Sequence, residues 1–299
     1  MLFLEAPPSL VVGVTFSADS NLLAAGLASL PETTTGSGAR VWDAGGGLVD
    51  SFDSPSPGFR TVVAIQPNSG SVAISAETKV YIQPFNKRET VLVFSHRTPG
   101  ESTDLTFLSP ELLVVGTGKR AGPSAGGYYL YDVAKKMIRQ PVQSEPHGVR
   151  SLAVHPQSKT IAWVTGNNLL RWATITKPGH NEFRLGHPAS SVAFSPNGTA
   201  LAAAVDWKVR TFDLASRTER STLTGHKGQV TGVAYSPDGR AIASGSWDET
   251  VRLWEVSSGA ELACFDWKIG KVLSLAYSPD GTRLAAGSDR GLIAVWDVG

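Results

Sequence analysis

Cysteine is almost absent from this chain, and neither sign of charge is in excess. The single Cys264 excludes an intrachain disulfide framework and a cysteine-rich zinc site, and it indicates a reducing compartment or indifference to redox conditions. The 27 basic residues nearly balance the 26 acidic ones, so composition suggests neither nucleic acid nor an anionic membrane as the main partner. We therefore expect a cytoplasmic protein that binds neither.

Long apolar runs and targeting signals are missing as well. No apolar stretch is long enough to span a bilayer. The opening residues, MLFLEAPPSLVVGV, lack a basic segment and are broken by Pro7 and Pro8, so we expect no signal peptide.

Motifs for catalysis, metal binding and cofactor binding are missing too. None of the six histidines has metal-ligand spacing, and no GxSxG motif surrounds a serine. The glycine-rich runs lack the Lys-Ser/Thr of a phosphate-binding loop, and there is no Asp-rich calcium loop. We therefore expect no metal, no cofactor and no catalytic residue. We also expect His155, which stands in a turn, to be solvated.

The most informative stretch runs from Leu223 to Val256, LTGHKGQVTGVAYSPDGRAIASGSWDETVRLWEV. Two short runs of small and β-branched residues flank the turn SPDG, in which proline, aspartate and glycine each favour a turn for a different reason. A second polar turn begins at Trp247, and a third run closes on Trp254. The pattern predicts a three-stranded meander that cannot bury both of its faces alone.

This stretch resembles one Trp-Asp (WD) repeat of a β-propeller, a ring of four-stranded blades. The resemblance rests on the Gly-His pair, the SPDG turn, the aspartate that follows the second run and the closing Trp-Glu pair. In that family a histidine, a serine or threonine, an aspartate and a tryptophan form a hydrogen-bonded tetrad inside a blade. The resemblance assigns this structural tetrad to His226, Ser244, Asp248 and Trp254.

Self-similarity extends over the whole chain. An aromatic or apolar residue precedes a turn every 40 to 49 residues, close to the period of about 40–45 residues typical of the family. These residues are Phe16, Ile65, Phe107, Val154, Phe194, Tyr235 and Tyr277. We therefore expect an all-β fold, a seven-bladed WD-repeat β-propeller with four-stranded antiparallel blades, as a single domain over residues 1–299.

Ring closure is expected to involve the N-terminus. The seventh repeat stops after its third strand, which contains Trp296, and no fourth strand follows. The segment Leu2 to Ala6 is largely apolar and precedes the first strand of the first repeat. Because an open ring would leave two unpaired sheet edges, we expect this segment to supply the outer strand of the last blade.

Two repeats are lengthened by insertions at 30–38 and 119–126, rich in Gly, Ser, Thr and Pro. Both lie where the turn between the second and third strands is expected. They are either surface loops without a function or elongated loops that shape a recognition surface. In the family that this chain resembles, that turn lies on the face called the top.

Three tryptophans fall in top-face turns or connections of repeats five to seven, and two cations lie in the neighbouring turns. They are Trp207, Trp247 and Trp267, with Lys268 and Arg290. Two interpretations stay open at this point. The tryptophans either pack against the next blade or form an interface hot spot, since protein interfaces favour exposed tryptophan beside arginine or lysine.

The leading functional hypothesis is a non-catalytic, monomeric scaffold that binds a protein or peptide across the top face through these five residues. One alternative is a propeller enzyme with its site at the central channel, and another is a purely structural domain of a longer protein. An enzyme would need polar or titratable groups converging on the channel. The first strands, with segments such as Val-Ala-Tyr and Leu-Ala-Tyr, indicate none.

Overall fold

A computed structural model describes residues 1–6, 9–29, 36–54, 60–67, 70–85, 91–95, 101–118, 126–177 and 179–298. These residues form 28 strands in seven four-stranded antiparallel sheets. Each sheet is one blade, and its first strand lies innermost. In the described ranges there is no helix that could cross a membrane.

The first four blades follow one another along the chain. Blade 1 contains β2 (Ser9–Phe16), β3 (Leu22–Ser29), β4 (Gly38–Asp43) and β5 (Leu48–Asp53). Blade 2 contains β6 (Val63–Ile65), β7 (Ser71–Ala76), β8 (Lys79–Pro84) and β9 (Val91–Ser95). Blade 3 contains β10 (Glu101–Ser109), β11 (Leu112–Gly118), β12 (Gly126–Asp132) and β13 (Met137–Glu145). Blade 4 contains β14 (Val149–His155), β15 (Thr160–Thr165), β16 (Leu169–Thr174) and β17 (Asn181–Arg184).

The last three blades complete the ring. Blade 5 contains β18 (Ala189–Phe194), β19 (Ala200–Val205), β20 (Lys208–Asp213) and β21 (Thr218–Thr224). Blade 6 contains β22 (Val230–Tyr235), β23 (Ala241–Ser246), β24 (Val251–Glu255) and β25 (Glu261–Phe265). Blade 7 contains β26 (Val272–Tyr277), β27 (Arg283–Ser288), β28 (Leu292–Asp297) and, as its outer strand, β1 (Leu2–Glu5).

The closing strand confirms the expectation for the N-terminus. Strand β1 pairs antiparallel with β28, with Leu2 opposite Val295 and Leu4 opposite Ile293. The amide of Ala6 extends the ladder by donating to the carbonyl of Gly291. The ring is therefore closed without leaving β28 as an unpaired edge.

The apolar core is divided among the seven interfaces between blades, and one cluster of buried side chains occupies each interface. The second strands lie in the middle of this packing, and β19, with the sequence ALAAAV, is buried along its whole length. Small side chains allow the blades to approach closely. At Gly245 an added Cβ would lie 2.4 Å from Val272 Cγ1 of the next blade, and at Gly287 it would lie 2.3 Å from Val11 Cγ1.

The turn after each of the last three first strands has the same internal hydrogen bonds. In blade 6, Ser236 Oγ donates to Asp238 Oδ1 at 2.6 Å and accepts from the Ala241 amide at 2.9 Å. Gly239 in this turn has a φ of 73°, a conformation that glycine adopts without strain. Local side chains therefore specify this turn and fix the register of the strands that it joins.

The first strands surround a central channel, a cavity of about 310 Å³. Three hydroxyl groups cross from one first strand to the next: Ser190 Oγ donates to Val230 O at 2.6 Å, Thr231 Oγ1 donates to Val272 O at 2.7 Å, and Ser274 Oγ donates to Val11 O at 3.2 Å. The channel wall of blades 5, 6, 7 and 1 is thus joined by direct hydrogen bonds.

Two expectations about loops and turns have different outcomes. The insertions at 30–38 and 119–126 do fall between the second and third strands of blades 1 and 3, but residues 30–35 and 119–125 lie outside the described residues. The prediction that His155 is solvated is wrong. His155 is buried at the interface between blades 4 and 5. Its ring bonds Ser158 Oγ at 2.8 Å and, in the next blade, the carbonyl of Pro196 at 3.1 Å.

Candidate functional site

The top face is the side of the ring on which each blade's outer strand leads into the next blade's first strand. The turn between the second and third strands lies on the same side, because neighbouring strands are antiparallel. Backbone hydrogen bonds connect these two features: the Trp247 amide donates to Gln229 O at 2.9 Å, and the Asp289 amide donates to Lys271 O at 3.0 Å. Side chains from both sources therefore share one surface.

Blade 6 contains a continuous polar network beneath this face. His226 Nδ1 lies 2.9 Å from Asp248 Oδ2, and His226 Nε2 lies 2.8 Å from Ser244 Oγ. Trp254 Nε1 donates to the same Ser244 Oγ at 2.8 Å. All four positions that the resemblance assigned to the tetrad are thus joined by hydrogen bonds.

Burial and hydrogen bonding act in opposite directions on the two titratable members. Burial lowers the pKa of His226, and this effect exceeds the opposing influence of the Asp248 carboxylate. For Asp248, burial opposes ionisation, but hydrogen bonds from the Thr250 hydroxyl, the Lys227 amide and His226 lower its pKa to about 2. The network therefore contains a neutral imidazole and an ionised carboxylate.

Blade 7 replaces this network with aromatic stacking. Trp267 lies with its ring centroid 3.7 Å from that of Trp296 and 4.9 Å from that of Phe265. Ala286 stands where blade 6 has its serine, and Trp296 Nε1 is buried without a hydrogen-bond partner in the described part of the chain. Trp267 is half-buried and supports the top face from below.

The other two predicted tryptophans are exposed. Trp207 is 54% exposed and Trp247 is 47% exposed, and they occupy the turn between the second and third strands in the adjacent blades 5 and 6. The remaining tryptophans are half-buried or buried. The Lys271 ammonium lies 5.6 Å from the centroid of the Trp247 ring, within the range of a cation–π contact.

The two predicted cations lie on the same face and have partners of their own. Lys268 forms an exposed ion pair with Asp266. Arg290 NH2 lies 3.6 Å from Glu249 Oε1, and its NH1 donates to Lys268 O at 3.3 Å. Both cations are exposed, so these pairs can be exchanged for contacts with a partner at little cost.

Three segments of the chain match the model of a known repeat family. The family model described as "WD domain, G-beta repeat" matches residues 178–213, 217–255 and 262–297. These ranges correspond to blades 5, 6 and 7, and the remaining blades repeat the same four-stranded order. The chain is a WD-repeat β-propeller.

Relatives of this WD-repeat propeller match it over short segments. It is 45% identical over 64 residues to guanine nucleotide-binding protein subunit beta-5b of Danio rerio, which covers 21% of this chain and 16% of the relative. It is 41% identical over 64 residues to guanine nucleotide-binding protein subunit beta of Schizosaccharomyces pombe, 21% of each chain. It is 40% identical over 65 residues to the human intraflagellar transport protein 122 homolog, 22% of this chain and 5% of the relative. The aligned part therefore spans about a fifth or less of these relatives.

The top mouth of the propeller's channel contains two residues that the sequence patterns did not indicate. A cavity of about 460 Å³ opens there, and Arg60 and Arg150 line it together with Trp247. A signal was available in the aligned repeats. Arg150 stands four positions before Val154, where blades 5 and 6 have Ser190 and Thr231 facing the channel.

Metal and catalytic groupings are not evident in the part of the chain that the structure describes. No group of three or more His, Cys, Asp or Glu side chains there could hold a metal ion. Among the described residues that line the channel, Asp104 is the one carboxylate, and it accepts hydrogen bonds from Ser151 Oγ at 3.1 Å and the Leu152 amide at 2.8 Å. These bonds give Asp104 a structural role in joining blades 3 and 4.

Proposed function

We propose that this propeller is a non-catalytic interaction scaffold and that a protein or peptide partner docks across its top face. The observation that carries the proposal is the pair of exposed tryptophans, Trp207 and Trp247, at equivalent turns of adjacent blades. Exposed tryptophan is costly in water and is enriched among the residues that dominate binding energy at protein interfaces.

The surroundings of these tryptophans suit a partner of acidic or mixed charge. Lys271 lies over Trp247, and the exposed cations Lys268 and Arg290 lie in the neighbouring blade. Trp267 takes part from below, where it stacks on Phe265, contacts Trp296 and stiffens the connection that carries Lys268. A rigid platform of this kind loses little conformational entropy when a partner binds.

The names of the relatives support an interaction role. Two of them are named as subunits of a guanine nucleotide-binding protein, which is the name of a component of an assembly. By contrast, an enzymatic site at the channel has the weaker support, because Asp104 is already engaged in hydrogen bonds between blades. We also propose that the chain is monomeric, since its ring is closed, and cytoplasmic, since its one cysteine is free.

The test compares three single variants for binding to a partner captured from cells of the source organism. We expect Trp207→Ala and Trp247→Ala each to weaken binding by about 2 kcal/mol or more, as truncation of an interface anchor does. Leu262→Ala is the matched control, because Leu262 is equally exposed but lies on the outer strand of blade 6. Equal binding by all three variants, measured by calorimetry, would refute the proposal that the two tryptophans anchor a partner.

A further inference from the structure

Arg150 is a half-buried arginine whose side chain has no ion-pair partner among the described residues. It is the second residue of β14, at the top mouth of the channel. Its Nε is buried without a hydrogen-bond partner, and no hydrogen bond or ion pair of its side chain occurs among the described residues. Eight other arginines lie within ion-pair distance of a carboxylate: Arg40, Arg139, Arg171, Arg210, Arg220, Arg240, Arg252 and Arg290.

Leaving a guanidinium partly desolvated and unpaired is unfavourable, and burial accordingly lowers the pKa of Arg150. A partner that supplies a negative charge would remove this cost. The preceding blade contains a second unsatisfied group at the equivalent position of its first strand: Thr103 is buried in blade 3, and its Oγ1 has no hydrogen-bond partner among the described residues. Thr103 lines the channel cavity, whereas Arg150 lines the cavity at the mouth, so Arg150 is the unsatisfied donor that an anion at the mouth would meet.

The cavity around Arg150 is positively charged and otherwise largely apolar. Arg60 also lines it, with its NH2 donating to Val12 O at 3.2 Å. No acidic side chain is among the described residues that line this mouth, whereas Leu10, Leu273 and the ring of Trp247 form apolar walls. Lys271, above Trp247, adds a third positive charge at the rim.

We propose that the channel mouth is an anchoring site for the carboxylate of an aspartate or glutamate in the partner peptide, with Arg150 as its main ligand. A planar guanidinium donates two parallel hydrogen bonds to a planar carboxylate, and the apolar walls strengthen that pair by excluding water. A single carboxylate suits this mouth better than a dianionic phosphate, because Arg60 already donates to Val12 O and Arg150 is left as one guanidinium for one charge. The inference rests on the proposed function, since it assigns the chemistry of the same partner.

The experiment measures fluorescence anisotropy of short labelled peptide libraries, each with one fixed central residue: Glu, Asp, phosphoserine, Gln or Lys. We expect the Glu and Asp libraries to bind at least about tenfold more tightly than the Gln library, since hydrogen bonds between charged groups exceed neutral ones by that margin. Arg150→Gln should abolish this preference. Raising the salt concentration should weaken it less than it weakens contacts at exposed cations such as Lys268.

The matched control is Arg240→Gln, the same chemical change at an exposed arginine on the opposite face. Thermal unfolding separates a ligand-binding role from a structural one. Because the Arg150 side chain has no partner in the described ranges, Arg150→Gln should leave Tm unchanged or raise it, whereas a structural arginine would lower Tm by several degrees.

The outcomes distinguish this inference from the proposed function. Equal responses to the acidic and Gln libraries, including no response to either, would overturn the anchoring site, and so would binding of the phosphoserine library alone. Binding that is lost in Trp247→Ala but unchanged in Arg150→Gln would leave the top-face surface standing and refute the carboxylate anchor. Binding that survives both changes would refute both.

Discussion

The proton on His226 Nδ1 sets the direction of the polar network in blade 6. The Asp248 carboxylate, whose pKa is about 2, can only accept, so His226 Nδ1 donates to it. His226 Nε2 is then an acceptor for the Ser244 hydroxyl, and the Ser244 oxygen in turn accepts from Trp254 Nε1. Each buried polar atom of the network therefore has a partner of the opposite type, which is the condition for such a network to stabilise a fold.

Removing the carboxylate should therefore destabilise the protein. We expect Asp248→Ala to lower the free energy of unfolding by roughly 1–3 kcal/mol at pH 7, because it leaves the His226 and Lys227 donors without an acceptor. Urea denaturation provides the measurement. Asp53→Ala is the control, since the Asp53 carboxylate is largely exposed and its ion pair with Arg40 contributes little.

The same prediction has a pH dependence with a definite sign. The folded pKa of Asp248, about 2, is below its ordinary value of 3.8, so its stabilisation is present above pH 3.8 and is lost as the pH falls toward 2. The difference between the wild type and Asp248→Ala should shrink over that range. Separately, because burial lowers the pKa of His226, the stability of the wild type itself should begin to fall as the pH drops below the ordinary value of 6.5. A difference that is independent of pH, or an Asp248→Ala variant as stable as the wild type, would contradict this account.

At the scale of single blades, the chain uses more than one solution for the same buried position. Blade 4 has no histidine-aspartate pair. Instead Glu145, almost fully buried, accepts from Trp163 Nε1 at 2.9 Å and from Arg171 NH1 at 2.5 Å. Arg171 also donates through Nε to Glu182 Oε2 at 3.0 Å. The buried tryptophan here comes from the second strand of its blade rather than the third, so the network has the same function with a different arrangement.

Breaking this pair from the arginine side should be costly. We expect Arg171→Leu to lower the free energy of unfolding by about 3–5 kcal/mol, because it leaves the Glu145 carboxylate buried and unpaired. Arg220→Leu is the matched change at a more exposed pair, with Asp213 on blade 5, and should cost about 1 kcal/mol or less. Calorimetric unfolding of both variants measures the contrast. Equal losses would show that burial of Glu145 does not govern the energy of this pair.

At the scale of the whole molecule, stability depends on closing the ring. Strand β1 is short, but Leu4 is buried in the cluster between blades 7 and 1, together with Trp42 and Ile293. A second link between blades 1 and 7 lies on the face opposite the top face, where the Asp280 amide donates to Ser20 Oγ at 3.1 Å. The first and last blades are thus held together by residues more than 250 positions apart.

Two neighbouring residues of β1 test this closure. We expect Leu4→Ser to lower the free energy of unfolding by about 2–5 kcal/mol and to promote aggregation, because it leaves a cavity at the joint and frees the edge of β28. Phe3→Ser is the control on the same strand, since Phe3 points to solvent. Thermal unfolding with light scattering measures both effects. A Leu4→Ser variant as stable and monodisperse as Phe3→Ser would show that β1 is dispensable.

Much of the ring could be predicted from local patterns. The SPDG-type turns, the alternating runs that flank them and the apolar segment Leu2 to Ala6 act over a few residues, and they led to the seven blades and the closing strand that the structure shows. The burial of His155 could not be predicted in this way. Its partner Pro196 belongs to the next blade, and no local sequence pattern around His155 predicts that contact.

The candidate site also has features that local sequence patterns predict and features that depend on contacts between blades. The sequence by itself determined the repeat number, the strand order and the turns that carry Trp207 and Trp247, because turn chemistry and hydrophobic alternation are short-range properties. Only the tertiary structure decided which of the three tryptophans are exposed, and only it brought Arg60, Arg150 and Trp247 from blades 2, 4 and 6 to one channel mouth. The physical reason is that burial and charge pairing depend on which blades face one another across the closed ring, and that geometry exists only once all seven blades have assembled.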